Sequence, residues 1–227
     1  YIRSMALYDK IVQEHPGELE DADWQGYGRA ADMTYFLSLT GEVKKVNVKD
    51  PESQNYLNLG LQLVSRKGNV KEQRYWRINA ARIYSQMEQA GWKAMAEYFR
   101  MSMCLYDCSE KKNQPMFANA RWHMDRIQEL NGSLSEEQRK SYPEDFADVT
   151  ELYGKMEKKY GKIMENRLRA GEYPDLSEDY MPGQVPAVED CRRFMDFAEA
   201  LRNGAPAQPD ASREPEKKKK GLFGLFR

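Results

Sequence analysis

A chain of 227 residues, 41% apolar and 31% charged, is long enough for one large or two small domains whose core needs no staples. The formal net charge of −1 excludes a surface that is basic all over, the usual mark of a nucleic-acid binder. No run of about 18 apolar residues occurs and the opening residues lack a signal-peptide layout, so neither a transmembrane helix nor a cleaved leader is expected.

The charge is unevenly spread. From residue 205 onward six Lys/Arg face three acids, a net +3 that leaves −4 on the rest. Cys104, Cys108 and Cys191 are too few and too odd for a disulfide framework, which points to a reducing compartment and a soluble, cytoplasmic chain. The chain starts at Tyr1 and not at Met, so further residues upstream are allowed for.

Met5, Leu7, Tyr8, Ile11 and Val12 form a helical stripe over residues 4–15, closed by Pro16-Gly17. Asp23 is the expected N-cap of a helix over 24–39, in which Trp24, Tyr27, Ala31, Tyr35 and Leu39 are spaced for packing. Gly26 and Gly28 each cost that helix about 1 kcal/mol against Ala, so close packing is expected there. Asp50-Pro51-Glu52 is a helix start, with a capping carboxylate, a proline at the first helical position and an acid near the positive end. That helix should run to residue 67 and stop at Gly68. Further helices are expected over 70–89, ended by Gly91, and over 92–108 and 115–130, the last ended by Asn131-Gly132.

Ser133-Leu-Ser-Glu136 reads as a capping box. Pro143 should open a longer helix to residue 170, with a heptad-like seam of Phe146, Val149, Tyr153, Met156, Tyr160 and Ile163. Gly154 and Gly161 weaken it. Residues 171–186 are loop-rich, and a last helix is expected over 187–201. The fold class that follows is all-α: a helix-pair array or bundle over 1–203, a disordered linker over 204–216, and a basic amphipathic tail over 217–227.

One spacing recurs. Trp24, Tyr27, Gly28 and Ala31 are followed by Tyr56, Leu59, Gly60 and Leu63, then by Trp92, Met95, Ala96 and Phe99, starting 32 and 36 residues apart. A large residue, a small one where helices cross, and another large one resemble the tetratricopeptide repeat, whose period is roughly 34 residues. The resemblance covers residues 24–130, with 133–203 as a helical extension, and it is degenerate. The second-helix signature is present only as Ala80, Tyr84, Met87 and as Ala120, Met124, Ile127, several residues late. It implies protein–protein recognition on a concave face. Asn79, Arg82 and Lys93 lie on the relevant helices but read as ordinary solvated residues.

Candidate chemistry is sparse. Cys104, Cys108 and His123 have three of the groups that zinc takes, but no fourth ligand, and the cysteines read as small buried apolar residues. No nucleophile elbow or glycine-rich phosphate loop is present, so neither an enzyme nor a cofactor is expected. Lys71, Arg74, Arg77 and Arg82, with Tyr75 and Trp76, read as a charged helix exterior over core aromatics, not as a nucleic-acid face.

The tail is the sharpest feature. Lys217, Lys218, Lys219 and Lys220 precede Leu222, Phe223, Leu225 and Phe226; as a helix, Leu222, Leu225 and Phe226 share one face with Phe223 at its edge. These eleven residues are similar to the basic amphipathic C-terminal membrane-targeting sequences of MinD-type division ATPases, although the ATPase motifs are absent. The expectation is a non-enzymatic scaffold or adaptor with a protein partner, held reversibly on an anionic membrane surface by that tail. The alternative is a soluble partner-binding module whose tail is a peptide ligand for another protein.

Overall fold

Helix starts and stops that the residues signal can be checked against backbone hydrogen bonds in a computed structural model, which describes residues 1–40, 49–56, 58, 70–110, 116–131, 134–140, 149–187 and 192–204; the expected stop at Gly68 and the expected start at Pro143 lie outside the described residues. The described residues form helices and no strand: α1 (Ile2–Glu14), α2 (Asp21–Thr40), α3 (Val70–Gln89), α4 (Lys93–Glu110), α5 (Phe117–Asn131), α6 (Glu136–Lys140), α7 (Val149–Arg169) and α8 (Arg192–Arg202). The all-α class is therefore as expected.

The caps are shifted by a few residues from the sequence reading. Helix α2 starts earlier than expected, because the Glu20 carbonyl accepts the first amide bonds and Asp23 reaches back to the Glu20 N–H at 3.1 Å. Asp23 is thus the acid three residues in, not the N-cap. Asp50 does cap, accepting the Ser53 N–H at 2.8 Å ahead of helical residues 51–56. At α6 the Arg139 N–H bonds to the Ser135 carbonyl at 3.0 Å, so Ser135 flanks that helix; Ser133 lies outside the described residues. Helix α3 ends in a Schellman turn. Gly91 takes φ +100° there, Trp92 N–H bonds to Met87 O at 2.8 Å, and Gly91 N–H bonds to Glu88 O at 3.1 Å. The same turn at Gly171 (φ +87°) ends α7.

Helices α2, α3, α4 and α5 make the centre: α2 packs on α3 and α4, α3 on α4, and α4 on α5. Helix α1 packs on α2, α7 on α5, and α8 on α7. The core runs through Tyr27, Tyr35, Ile83, Tyr84, Met95, Phe99, Met103, Phe117 and Ile127. Gly28 is required where α2 crosses α4, since a Cβ there would strike the Phe99 ring, and the ring stacks on Tyr84 at 5.6 Å with Tyr98 against its edge. Gly26 similarly faces the Tyr8 hydroxyl of α1. Of the repeat spacing, Trp24, Tyr27, Ala31, Met95, Ala96 and Phe99 are core residues, whereas Leu59, Gly60 and Leu63 lie outside the described residues.

The heptad seam expected on α7 is not kept at the helix's C-terminal end, and Phe146 lies outside the described residues. Tyr160 is buried, but Ile163 is 43% exposed, and Met164 and Leu168 are buried instead. Tyr160, Met164 and Leu168 recur every four residues, so the face buried at this end of α7, which packs on α5 and α8, departs from the alternating three-and-four spacing of the expected seam.

Candidate functional site

Three successive helices and the segment after α7 send charged side chains inward to one place. Helix α3 supplies Arg77, α4 supplies Glu97, Arg100, Cys104 and Asp107, and α5 supplies Asn119 and His123. The segment after α7 supplies Asp179 and Tyr180. None of these side chains is more than slightly exposed, and Arg100, His123 and Asp179 are wholly enclosed.

Asp179 is the hub. Its carboxylate accepts hydrogen bonds from Arg77 Nη2, from Asn119 Nδ2 at 2.6 Å and from His123 Nε2 at 3.1 Å, with the Cys104 Sγ at 3.6 Å. His123 Nδ1 meets Glu97 Oε2 at 2.7 Å. The other Glu97 oxygen accepts from Arg100 Nη1 at 2.8 Å and from the Tyr180 hydroxyl at 2.7 Å. Arg100 donates Nε to the Asp179 carbonyl at 3.2 Å and pairs with Glu88 at 2.9 Å, its guanidinium lying 3.9 Å from the centre of the Tyr180 ring. On the far side Arg77 Nη1 donates to Asp107 and, at 3.2 Å, to the Tyr35 hydroxyl, which itself donates to Asp107 at 2.6 Å.

The protonation pattern follows from these contacts. Both ring nitrogens of His123 face carboxylate oxygens, so both must donate, and the ring is an imidazolium. Burial alone would lower its pKa, but the hydrogen bonds to Asp179 and Glu97 outweigh burial and raise it. Burial would raise the Asp179 pKa, but the Arg77 charge, His123 and Asn119 hold it far below the usual carboxylate range. Glu97 is likewise lowered against its burial, by Arg100 first and then His123. Three buried cations, Arg77, Arg100 and His123, thus balance three buried anions, Glu97, Asp107 and Asp179.

The expected zinc candidates separate. Cys104 and His123 share a cluster with Asp179, their ligating atoms within 4.8 Å of one another, while Cys108 lies elsewhere in the core. A divalent cation fits this cluster poorly. Arg77 and the imidazolium already supply its positive charge, and burial, then the Asp179 charge, push the Cys104 thiol far above its ordinary pKa. Burial also pushes the Cys108 thiol up, to about 12.

The charged exterior expected on α3 needs correction at two positions. Arg77 is a buried member of the network, because three acids converge on its guanidinium: Asp107, Asp179 and, at 3.7 Å, Glu178. Tyr75, expected in the core beside Trp76, is 57% exposed. Arg82 is half-buried, pairing with Asp9 of α1 at 2.8 Å, while Asn79 bonds its own helix at Tyr75 O and Lys93 is exposed. The tail residues Lys217, Lys218, Lys219, Lys220, Leu222, Phe223, Leu225 and Phe226 lie outside the described residues. Among the described residues no helix is long and apolar enough to cross a membrane.

A fourth buried acid stands apart from this network. Asp32 of α2 accepts from the Tyr106 hydroxyl at 2.7 Å and from Ser102 Oγ at 3.2 Å, both on one oxygen. Its other oxygen and the nearby buried Tyr84 hydroxyl have no partner. Burial raises its pKa to about 7, with Tyr106 and Ser102 pulling the other way.

Comparison with protein-family models, with curated proteins and with solved structures finds no significant match to this chain.

Proposed function

We propose that the chain is a helical scaffold or adaptor of the cytoplasm, which binds another protein through its helical body and attaches reversibly to an anionic membrane surface through residues 217–227. The observation that carries this reading is the order of residues at the C-terminal end: four consecutive lysines, then Leu222, Phe223, Leu225 and Phe226 at helical spacing. Each lysine near an anionic surface contributes about 1 kcal/mol. Each buried Leu or Phe adds at most roughly 1.5–3 kcal/mol, less the cost of ordering the segment. The sum suits an attachment that comes and goes. The body contributes a second support: the charged groups of its buried network are paired with one another, holding α3, α4 and α5 to the segment after α7.

Vesicle co-sedimentation of the intact chain and of a chain ending at Glu216 tests the attachment. Pelleting of the intact chain alone, with anionic lipid at low salt and not with neutral lipid or at high salt, is the expected result. If neither form pellets, the membrane reading fails, and the tail becomes a peptide ligand for another protein.

A further inference from the structure

The segment between α7 and α8 is bound in the way a foreign peptide would be. Its backbone is read by side chains of the helices. Asn119 Nδ2 donates to the Asp175 carbonyl at 2.5 Å, the Asp175 N–H donates to Asn119 Oδ1 at 3.1 Å, and Arg100 Nε takes the Asp179 carbonyl. Peptide groups that cannot pair within their own element must find such partners when buried. Its side chains are read too: Leu176 enters the core, Asp179 sits among Arg77, His123 and Asn119, and Tyr180 slots under Arg100 with its hydroxyl on Glu97.

Two observations set this segment apart from ordinary core. Its anchors are few, since around Leu176, Asp179 and Tyr180 the residues at 172, 173, 175, 177, 178, 182 and 183 are exposed. Glycines with positive φ bracket it, Gly171 at +87° and Gly183 at +83°. The donors it meets also single it out. Without Asp179 the guanidiniums of Arg77 and Arg100 keep Asp107, Glu97 and the partly buried Glu88, but Arg77 Nη2, Asn119 Nδ2 and His123 Nε2 lose the acceptor they share. A buried place on which three donors converge selects a carboxylate, which only accepts, over an amide or an apolar residue.

We propose that residues 173–180 are a ligand held in cis, and that the α3–α4–α5 cradle takes an acidic segment of a partner protein, with Leu-x-x-Asp-Tyr spacing, when the cis segment lifts away. The proposal rests on the reading of the helical body as a partner-binding module and is independent of membrane attachment. Arg74 at the rim, 3.8 Å from Glu178, extends the preference for acids to the residue before the aspartate.

Two measurements test it. Native-state hydrogen exchange on the full chain should show the amides of Asp175 and Asp179 opening at least tenfold more often than those of α4 and α5. Exchange only through global unfolding would make the segment integral core and overturn the proposal. In a full-length variant with residues 173–180 replaced by Gly/Ser of equal length, a synthetic peptide of residues 172–183 should bind saturably in fluorescence anisotropy. The same peptide carrying Asp179→Asn should bind at least tenfold more weakly, as should the original peptide to the wild-type chain, whose cradle is filled. A variant that keeps its helical circular dichroism yet binds neither peptide sinks the idea. Should the variant not fold, exchange in the wild-type chain decides. Vesicle sedimentation is untouched by either outcome, so loss of the cradle reading and loss of the membrane reading are separate results.

Discussion

Replacing Asp32 by Asn should make the protein more stable at alkaline pH while leaving it nearly unchanged in acid. The carboxyl lies between α2 and α4 with one oxygen satisfied by Tyr106 and Ser102 and the other facing no partner. Its pKa rises from 3.8 to about 7 on folding. Since the folded value is the higher one, the unfolded chain ionises first as pH rises. The stability contributed by the neutral acid is fully present below about pH 3.8, falls through the window to about 7, and is gone above it. Roughly three units at 1.36 kcal/mol each give about 4 kcal/mol. Asn places a neutral N–H donor where the protonated acid has its O–H, so Asp32→Asn copies the acid form at every pH.

The assay is urea unfolding of both proteins at pH 4, 6 and 8.5. The difference in unfolding free energy should grow by about 1.4 kcal/mol per pH unit from pH 4 and flatten above 7. With a slope of roughly 3 kcal/mol/M, the alkaline midpoints should differ by more than about 1 M. Titrations of Glu97, Asp179 and His123 occur in both proteins and cancel in the difference. A difference that stays flat across the range would mean that Asp32 is hydrated or paired when ionised, and the reasoning from its burial would be wrong.

Gly28→Ala should cost about 1–3 kcal/mol despite the better helix propensity of Ala, because the Phe99 ring it meets is pinned by Tyr84 and Tyr98. Gly154→Ala, with nothing within 4 Å of the new Cβ, should instead stabilise α7 by about 0.5–1 kcal/mol; denaturant unfolding measures both. His123→Ala should cost about 3–5 kcal/mol by leaving Glu97 and Asp179 short of a shared cation. Because the His123 pKa is raised, its stabilisation is full below pH 6.5 and lost as pH climbs through the folded value, so the variant's stability should fall less on the alkaline side. In a Cys191→Ser background, neither Cys104 nor Cys108 should react with a thiol reagent until the chain unfolds, since both are buried and both thiols are pushed well up.

What could be read from residues alone was local. The stripe over residues 4–15, the Asp50-Pro51 start and the Gly91 stop depend on neighbours within a turn or two, and they became α1, a helical start and a Schellman end. Gly28 was also legible as a close crossing, because a glycine that costs helix propensity needs a packing reason. Arg77 was not. On α3 it looks like its neighbours Lys71 and Arg74, and only contacts 30 and 102 residues away, to Asp107 and Asp179, turn it inward. Asp179 sits in a stretch read as loop, where an acid is unremarked. The one signal that bore on the network was a scarce histidine: His123 falls on a largely apolar helix face with Ala120, Met124 and Ile127, where a buried imidazole requires a hydrogen-bond partner from elsewhere.

The composition of the cradle argues for a contact meant to open. Replacing a buried ion network by apolar side chains of similar volume is often neutral or stabilising, so stability alone does not call for Arg77, Arg100, His123, Glu97 and Asp179. An apolar cradle would hold any apolar segment and, once emptied, would leave a sticky patch on the surface. A cradle of guanidinium, imidazolium and amide groups distinguishes an aspartate from its amide while closed, and takes up water when open. The same chemistry that makes Asp179 selective therefore also lets the site stand empty without aggregating, and both properties are lost together if Arg77 and Asp179 are exchanged for Met and Leu.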